Sequence, residues 1–185
     1  MKKLSHITNI SFGFYHKSAE NGDIPYLQVS QFDERGMLNG QFESFLPANP
    51  QIEKNLLKDG DILLAGKGFR NFAWEYKQKL GPMIASSIFF VIKPDFSRVH
   101  PGYLTVFLNL PVTQARFQIL GAGSSIPSIR KGELGELKIP LPTLDKQKTI
   151  AGMYELHQTE LALMDKIIEK KKNLFFGAVQ KMITT

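Results

Sequence analysis

Apolar positions divide this chain into two unlike parts. Up to Thr143 they come in short runs broken by glycine and proline. Beyond Thr143 there is no proline, and apolar residues recur at intervals of three and four. Counted from Ile150, a 4-3 spacing falls on Ile150, Tyr154, His157, Leu161, Met164, Ile168, Lys171, Phe175, Ala178 and Met182. All of these except His157 and Lys171 are apolar or aromatic. Two such positions per heptad make the stripe that a coiled-coil seam requires. At about 1.5 Å per residue, some 38 helical residues reach on the order of 57 Å. A domain of this size cannot cover a helix that long, so part of it is expected to project and seek a partner. The alternative is a helix folded back on its own domain.

The junction between the two parts is sharp. Lys138 to Leu141 alternates as a short strand does, and Pro140 and Pro142 then forbid further ladder pairing. Thr143 suits an N-cap, and Asp145 suits the positive end of a helix dipole. The chain is therefore read as a domain over residues 1–143 and a long helix over 144–185. Within the domain, Ile24–Val29, Ile62–Ala65, the alternating Phe72, Trp74 and Tyr76, and a run from Ile84 to Lys93 read as strands. Ile52 to Leu57 fits one helical turn. Pro101 and Pro111 each suit the start of a small helix. Gly121 to Ser125 reads as a flexible loop. The expected class is α+β: a mixed globular domain of short strands and small helices, then a long C-terminal coiled-coil helix.

Composition narrows the function only a little. At 185 residues the chain can bury one substantial core, and 43% hydrophobic with 22% charged residues is ordinary for a globular protein. The absence of cysteine excludes disulfide scaffolds and thiolate metal sites. The opening, MKKLSHITNISFGFY, lacks the apolar run of a signal peptide, and no stretch approaches the roughly 20 apolar residues of a membrane helix. A cytoplasmic protein without membrane contact is expected. Net charge is +6. From Asp145 onward seven lysines face five acids, which leaves +4 in the first 144 residues. That balance permits attraction to nucleic-acid phosphates without requiring it.

Three separated blocks carry a family resemblance. GFYHKSAENGDIPYLQV, over Gly13 to Val29, has a Gly-aromatic turn followed by Gly-x-Ile-Pro-Tyr. DGDILLAGKG, over Asp59 to Gly68, is a Gly-Asp-strand-Gly segment. SIPSI, LKIPLP and DKQKTIA then close the domain and open the helix. In this order the blocks resemble the target recognition domain of specificity subunits of type I restriction–modification systems. The usual subunit has two such domains and two long helices, whereas this chain has one of each. The resemblance implies a non-catalytic half-subunit that reads one half of a bipartite site in double-stranded DNA. It also implies a homodimer through the C-terminal helix, docked to methyltransferase subunits and a restriction–translocation subunit. Those partners would hold S-adenosylmethionine, Mg2+ and ATP, with no cofactor on this chain.

Candidate DNA-contacting residues follow from chemistry and from that resemblance. Lys67, Arg70 and Asn71 lie in a glycine-flanked basic loop between two strands. Arg can pair with guanine and Asn with adenine, while Lys suits phosphate; a solvated hairpin is the plainer reading. Tyr15 and Lys17 sit in a polar loop, Gln28 and Gln31 flank a strand end, and Arg130 with Lys131 precede the junction. The expected dimer residues are Ile150, Tyr154, His157, Leu161, Met164, Ile168, Phe175 and Met182. Lys166, Lys170, Lys171 and Lys172 form a basic cluster on the helix, either a solvated flank or a contact. The four histidines show no metal-ligand spacing, and no Ser-His-Asp set or phosphate-binding loop is visible. Phe72, Trp74 and Tyr76 are assigned to the core. A reading of another class remains: a coiled-coil scaffold, or a truncated recognition cassette without independent DNA binding.

Overall fold

In the computed structural model, which describes residues 1–120 and 127–184, the chain opens with β1 (Lys2–Lys3), a 3-10 turn and β2 (Thr8–Phe12). There follow β3 (Ile24–Leu27), β4 (Phe45–Leu46), the single turn α1 (Pro50–Glu53), β5 (Ile62–Ala65) and β6 (Ala73–Glu75). Next are β7 (Ile84–Ala85), β8 (Phe89–Pro94), α2 (Pro101–Asn109), α3 (Pro111–Leu120) and α4 (Lys131–Gly135). The short β9 (Lys138–Ile139) then leads into α5 (Leu144–Thr184). The class is α+β, as the sequence pattern implies. The expected loop at Gly121–Ser125 lies outside the described residues.

The consecutive apolar runs of β5 and β8 place them in the centre of an antiparallel sheet ordered β2-β8-β5-β6. Successive side chains on a strand point to opposite faces. Ile62, Leu64, Phe90 and Ile92 therefore enter one core, shared with Leu4, Tyr103, Leu104 and Leu108. Leu63, Ala65, Phe89 and Val91 enter a second, with Phe32, Phe72, Trp74 and Tyr76. The aromatic alternation over 72–76 is thus a core face, as expected. A smaller sheet, β4-β3-β7, lies beside this one, and β1 pairs with β9 to bring the start of the chain to the helix junction.

One expected strand is two. The run from Ile84 to Lys93 breaks at Ser86–Ile88, because β7 pairs in parallel with β3 while β8 pairs antiparallel with β5 and β2. β7 and β8 belong to different sheets, and the chain turns between them at Ser86–Phe89, where the Phe89 amide donates to the Ser86 carbonyl at 3.0 Å.

The open edge of β6 is closed by a side chain. Asn109, at the end of α2, accepts a hydrogen bond from the Ala73 amide at 2.9 Å and donates one to the Ala73 carbonyl at 2.7 Å. It pairs with Ala73 as a neighbouring strand would, on a buried peptide that otherwise lacks a partner. Asn109 also bonds the Tyr154 hydroxyl on α5; burial raises that hydroxyl above its usual pKa and this bond partly offsets the shift.

Further contacts fix α5 on the domain. Gln147 is buried; it accepts from the His100 amide at 2.8 Å and donates to Pro142 at 2.9 Å and Arg98 at 3.3 Å. A Cβ on Gly102 would lie 2.8 Å from that of Ala151, so only glycine lets α2 approach this closely. Ion pairs Lys77–Glu155 at 3.7 Å and Arg35–Asp165 at 2.6 Å follow along the helix. Beyond Asp165 nearly every residue is exposed.

Two residues expected in the dimer stripe are consequently engaged within the chain. Ile150 packs against the first core, and Tyr154 is half-buried with its hydroxyl on Asn109. The physical reason is that the first turns of α5 already have a surface to cover. The stripe that faces solvent starts at His157 and Leu161.

Asn109→Ala should cost about 2–4 kcal/mol in denaturant unfolding, because it leaves both Ala73 backbone groups unpaired in a buried place. It should also raise the Ala73 amide hydrogen-exchange rate; an unchanged rate would show that the edge is closed by other means.

Candidate nucleic-acid interface

Five loops meet at the end of the central sheet where β5 finishes and β8 begins. Gly66 donates from its amide to Ile88 at 3.3 Å and accepts from Ile129 at 2.9 Å, and Gly68 donates to Pro127 at 2.8 Å. Lys67 forms a bridge with Ser128. The Ser86 amide donates to Leu27, the Phe14 amide to Ala85 and the Gly13 amide to Phe89. Segments 14–18, 28–32, 66–71, 86–88 and 127–131 therefore form one continuous surface. Two glycines make this approach possible. A Cβ on Gly13 would overlap the Ser86 carbonyl, and one on Gly66 would overlap the Phe90 ring. α5 starts at the opposite end, since Gln147 binds the His100 amide just beyond the far terminus of β8.

All nine expected DNA-contacting residues fall on these five segments, but they are not equally free. Lys17, Lys67, Arg130 and Lys131 are exposed. The Arg130 guanidinium keeps only a 3.8 Å approach to Glu133. Tyr15, at 84% exposure, and Phe69, at 82%, stand out into solvent. Arg70 is held back: its guanidinium donates to the carbonyls of Val29 at 3.2 Å and Phe32 at 2.9 Å, and stacks over Phe72 at 5.1 Å. Asn71 donates to the Ala65 carbonyl at 2.7 Å across its own loop. Gln28 donates to the hydroxyls of Ser44 at 3.1 Å and Ser18 at 3.4 Å.

Gln31 is 3% exposed and accepts from the Gln28 amide at 2.9 Å, so it lies inside the turn. Arg70, Asn71 and Gln31, expected to read bases, are thus each engaged with the chain's own backbone in this structure. Arg70 supplies donors to two carbonyls of the 28–32 turn, Asn71 closes its own loop, and Gln31 accepts from a backbone amide inside the turn.

The sequence pattern did not single out a shallow hollow, part hydroxyl and part apolar, on the same surface. Tyr15, His16, Ser18, Ser30, Ser86 and Ser87 are among the residues lining its volume of about 380 Å³. Its sequence signal is the Ser86-Ser87 pair, two hydroxyls within an apolar run. Tyr26 anchors the loop beside it, donating to the Phe14 carbonyl at 2.7 Å and accepting from the His16 amide at 3.3 Å. Burial pushes the Tyr26 hydroxyl above its usual range, and the His16 amide pulls it part of the way back. Among the described residues no cluster of His, Asp or Glu could hold a metal ion, and no helix is long and apolar enough to cross a membrane.

The chain superposes on the S subunit of a type I restriction–modification system from M. genitalium with a TM-score of 0.64 at 16% identity, covering 91% of this chain and 41% of that one. It superposes on the HsdS subunit from Thermoanaerobacter tengcongensis with a TM-score of 0.58 at 16% identity, covering 87% and 37%. The sequence profile described as type I restriction modification DNA specificity domain matches residues 1–173, and the chain belongs to that family.

Two curated relatives agree. A Methanocaldococcus jannaschii protein named for the MjaX type I restriction enzyme specificity subunit is 28% identical over 174 residues, 86% of this chain and 36% of that protein. The EcoDI specificity subunit of Escherichia coli is 28% identical over 138 residues, 73% and 29% respectively. The chain thus spans about a third of the length of these relatives.

The two basic residues of the 66–71 loop should separate experimentally. Arg70→Ala should lower stability by about 1–3 kcal/mol, since two charge-assisted bonds to the 28–32 turn are lost. Lys67→Ala should leave the melting temperature unchanged. Equal melting curves for both variants would refute the structural role of Arg70.

Proposed function

We propose that this chain is a DNA-recognition unit of a type I restriction–modification system, reading one half of a bipartite target and performing no chemistry itself. The observation that carries this reading is the convergence of Lys17, Lys67, Arg130 and Lys131 on one loop surface. Exposed cations give sequence-independent attraction to phosphates, and the residues between them supply position and specificity. Family membership supports the same reading.

The helix supplies assembly. Its exposed apolar residues are not confined to one narrow stripe. Met164, Ile168, Phe175 and Met182 lie on one line that opens at the half-buried Leu161, and Met153, Leu156, Leu163, Ile167 and Leu174 lie beside it. A two-stranded seam needs only the first line. The second asks for another helical partner. We therefore assign the first line to a second copy of this chain and the adjoining face to methyltransferase subunits. S-adenosylmethionine would then reside on those subunits, and Mg2+ and ATP on the restriction–translocation subunit.

Reconstitution with methyltransferase subunits and selection from a random duplex pool tests this. The expected product is a two-fold repeated half-site with a fixed gap. Enrichment of no sequence, with the complex intact, would favour the scaffold reading. The purified chain alone, given DNA, S-adenosylmethionine, ATP and Mg2+, should neither methylate nor cleave.

Leu161→Asp with Ile168→Asp should give monomers in analytical ultracentrifugation, because an uncompensated charge in the seam costs several kcal/mol. Deleting Lys166 to Lys172 removes one heptad beyond the domain contacts and about 10 Å of rise. For antiparallel pairing the preferred gap should then shorten by about three base pairs at roughly 3.4 Å each. An unchanged gap in an intact dimer would show that the helix is not the ruler.

A further inference from the structure

We propose that the hydroxyl-lined hollow between segments 14–18, 28–31 and 86–88 seats a backbone phosphate of the DNA and so fixes the register of the domain on the duplex. This rests on the DNA-recognition reading above. The decisive group is Ser86. Its residue is 8% exposed, it lines the hollow, and its hydroxyl finds no hydrogen-bond partner among the described residues. A buried donor left unpaired is costly in the free protein; the Ser86 hydroxyl has almost no accessible surface, so it reaches an acceptor in the hollow by turning about its Cα–Cβ bond.

The surrounding groups suit the same acceptor. Ser30 and Ser87 add hydroxyls that can rotate to donate, and Tyr15 stands exposed at the mouth. His16 is turned to the loop backbone, with Nδ1 2.7 Å from the Lys17 carbonyl, and its ring is not counted among the donors. Lys17, next in sequence, is exposed and supplies positive charge. No carboxylate lines the hollow.

Shape decides between phosphate and base. Duplex phosphates protrude, whereas base edges are recessed in a groove about 8.5 Å deep and are reached by projecting side chains. A shallow hollow receives a protruding phosphate more readily than a recessed base edge, and hydroxyl side chains are ordinary phosphate donors. The projecting Phe69 suits the groove instead. Ser86 and Ser87 are therefore positioning residues, acting on affinity at every sequence alike.

The test uses the complex reconstituted with methyltransferase subunits and duplexes carrying a neutral methylphosphonate at single backbone positions. For the wild type, one position in each half-site should lower affinity by about tenfold. Ser86→Ala with Ser87→Ala should lower affinity by about tenfold on the unmodified duplex, equally for all half-site sequences, and should lose nothing further at that position. The melting temperature of Ser86→Ala should be unchanged or a few degrees higher, since an unpaired hydroxyl has been removed. A purely structural serine would lower it.

If the double variant is unstable, Tyr15→Phe with Ser30→Ala gives the same comparison at the mouth of the hollow. Unchanged affinity in both variants overturns the assignment. So does a changed base preference, which would make the hollow a base reader. A wild-type complex without any DNA binding overturns the recognition reading itself, and the phosphate seat with it.

Discussion

The structure depends on burying β5 and β8 on both faces. Each strand sends alternate residues into two separate cores, so neither face is left to solvent. One core carries α2 and the first turns of α5. The other carries the aromatic cluster beneath the loops over 28–32 and 66–71. The two functional ends of the domain are thus tied through the same few peptides. A change in the sheet's pairing would move the loop surface and the helix together.

That arrangement also explains what the sequence made legible. The runs Ile62–Ala65 and Phe89–Ile92 are unbroken because both faces are covered, and this made them easy to recognise as core strands. The Pro-x-Pro corner and Thr143 marked the helix start, with the Lys146 amide 3.5 Å from the Thr143 hydroxyl. The segments of the candidate surface were legible too, since loops announce themselves by glycine and polarity. The roles of their side chains were not. Arg70 and Asn71 have the chemistry of base readers, yet each half-buried side chain also donates to a backbone carbonyl. Composition cannot reveal which carbonyls a fold leaves unpaired, because that depends on how distant turns meet. Ser86 was hidden for the converse reason: an ordinary serine becomes notable only when its surroundings fail to satisfy it.

The heptad pattern was similarly read in part. Its period was plain, but one period can serve two surfaces. Gln147, Ala151 and Tyr154 repeat with the same 4-3 spacing on the face turned towards the domain. A polar glutamine opening that series looks like a solvent position, but it is buried because three backbone groups converge on it. Propensity and periodicity set the helix; tertiary hydrogen bonding decides which side of it faces in.

The contact patch on α5 runs from Gln147 to Asp165, about 27 Å of a 41-residue helix of about 60 Å. Mechanically this is a cantilever clamped over a little under half its length. Its free end moves in proportion to any error in the clamp. A tilt of about 5° where the patch ends, over a free length of about 29 Å, would carry the tip sideways by about 2.5 Å, most of one base-pair step. The small residues Gly102 and Ala151 sit under the clamped part and set how closely the two helices meet. A single methyl group added there would act as a wedge, far from any DNA contact, and would be felt at the tip as a shift in aim.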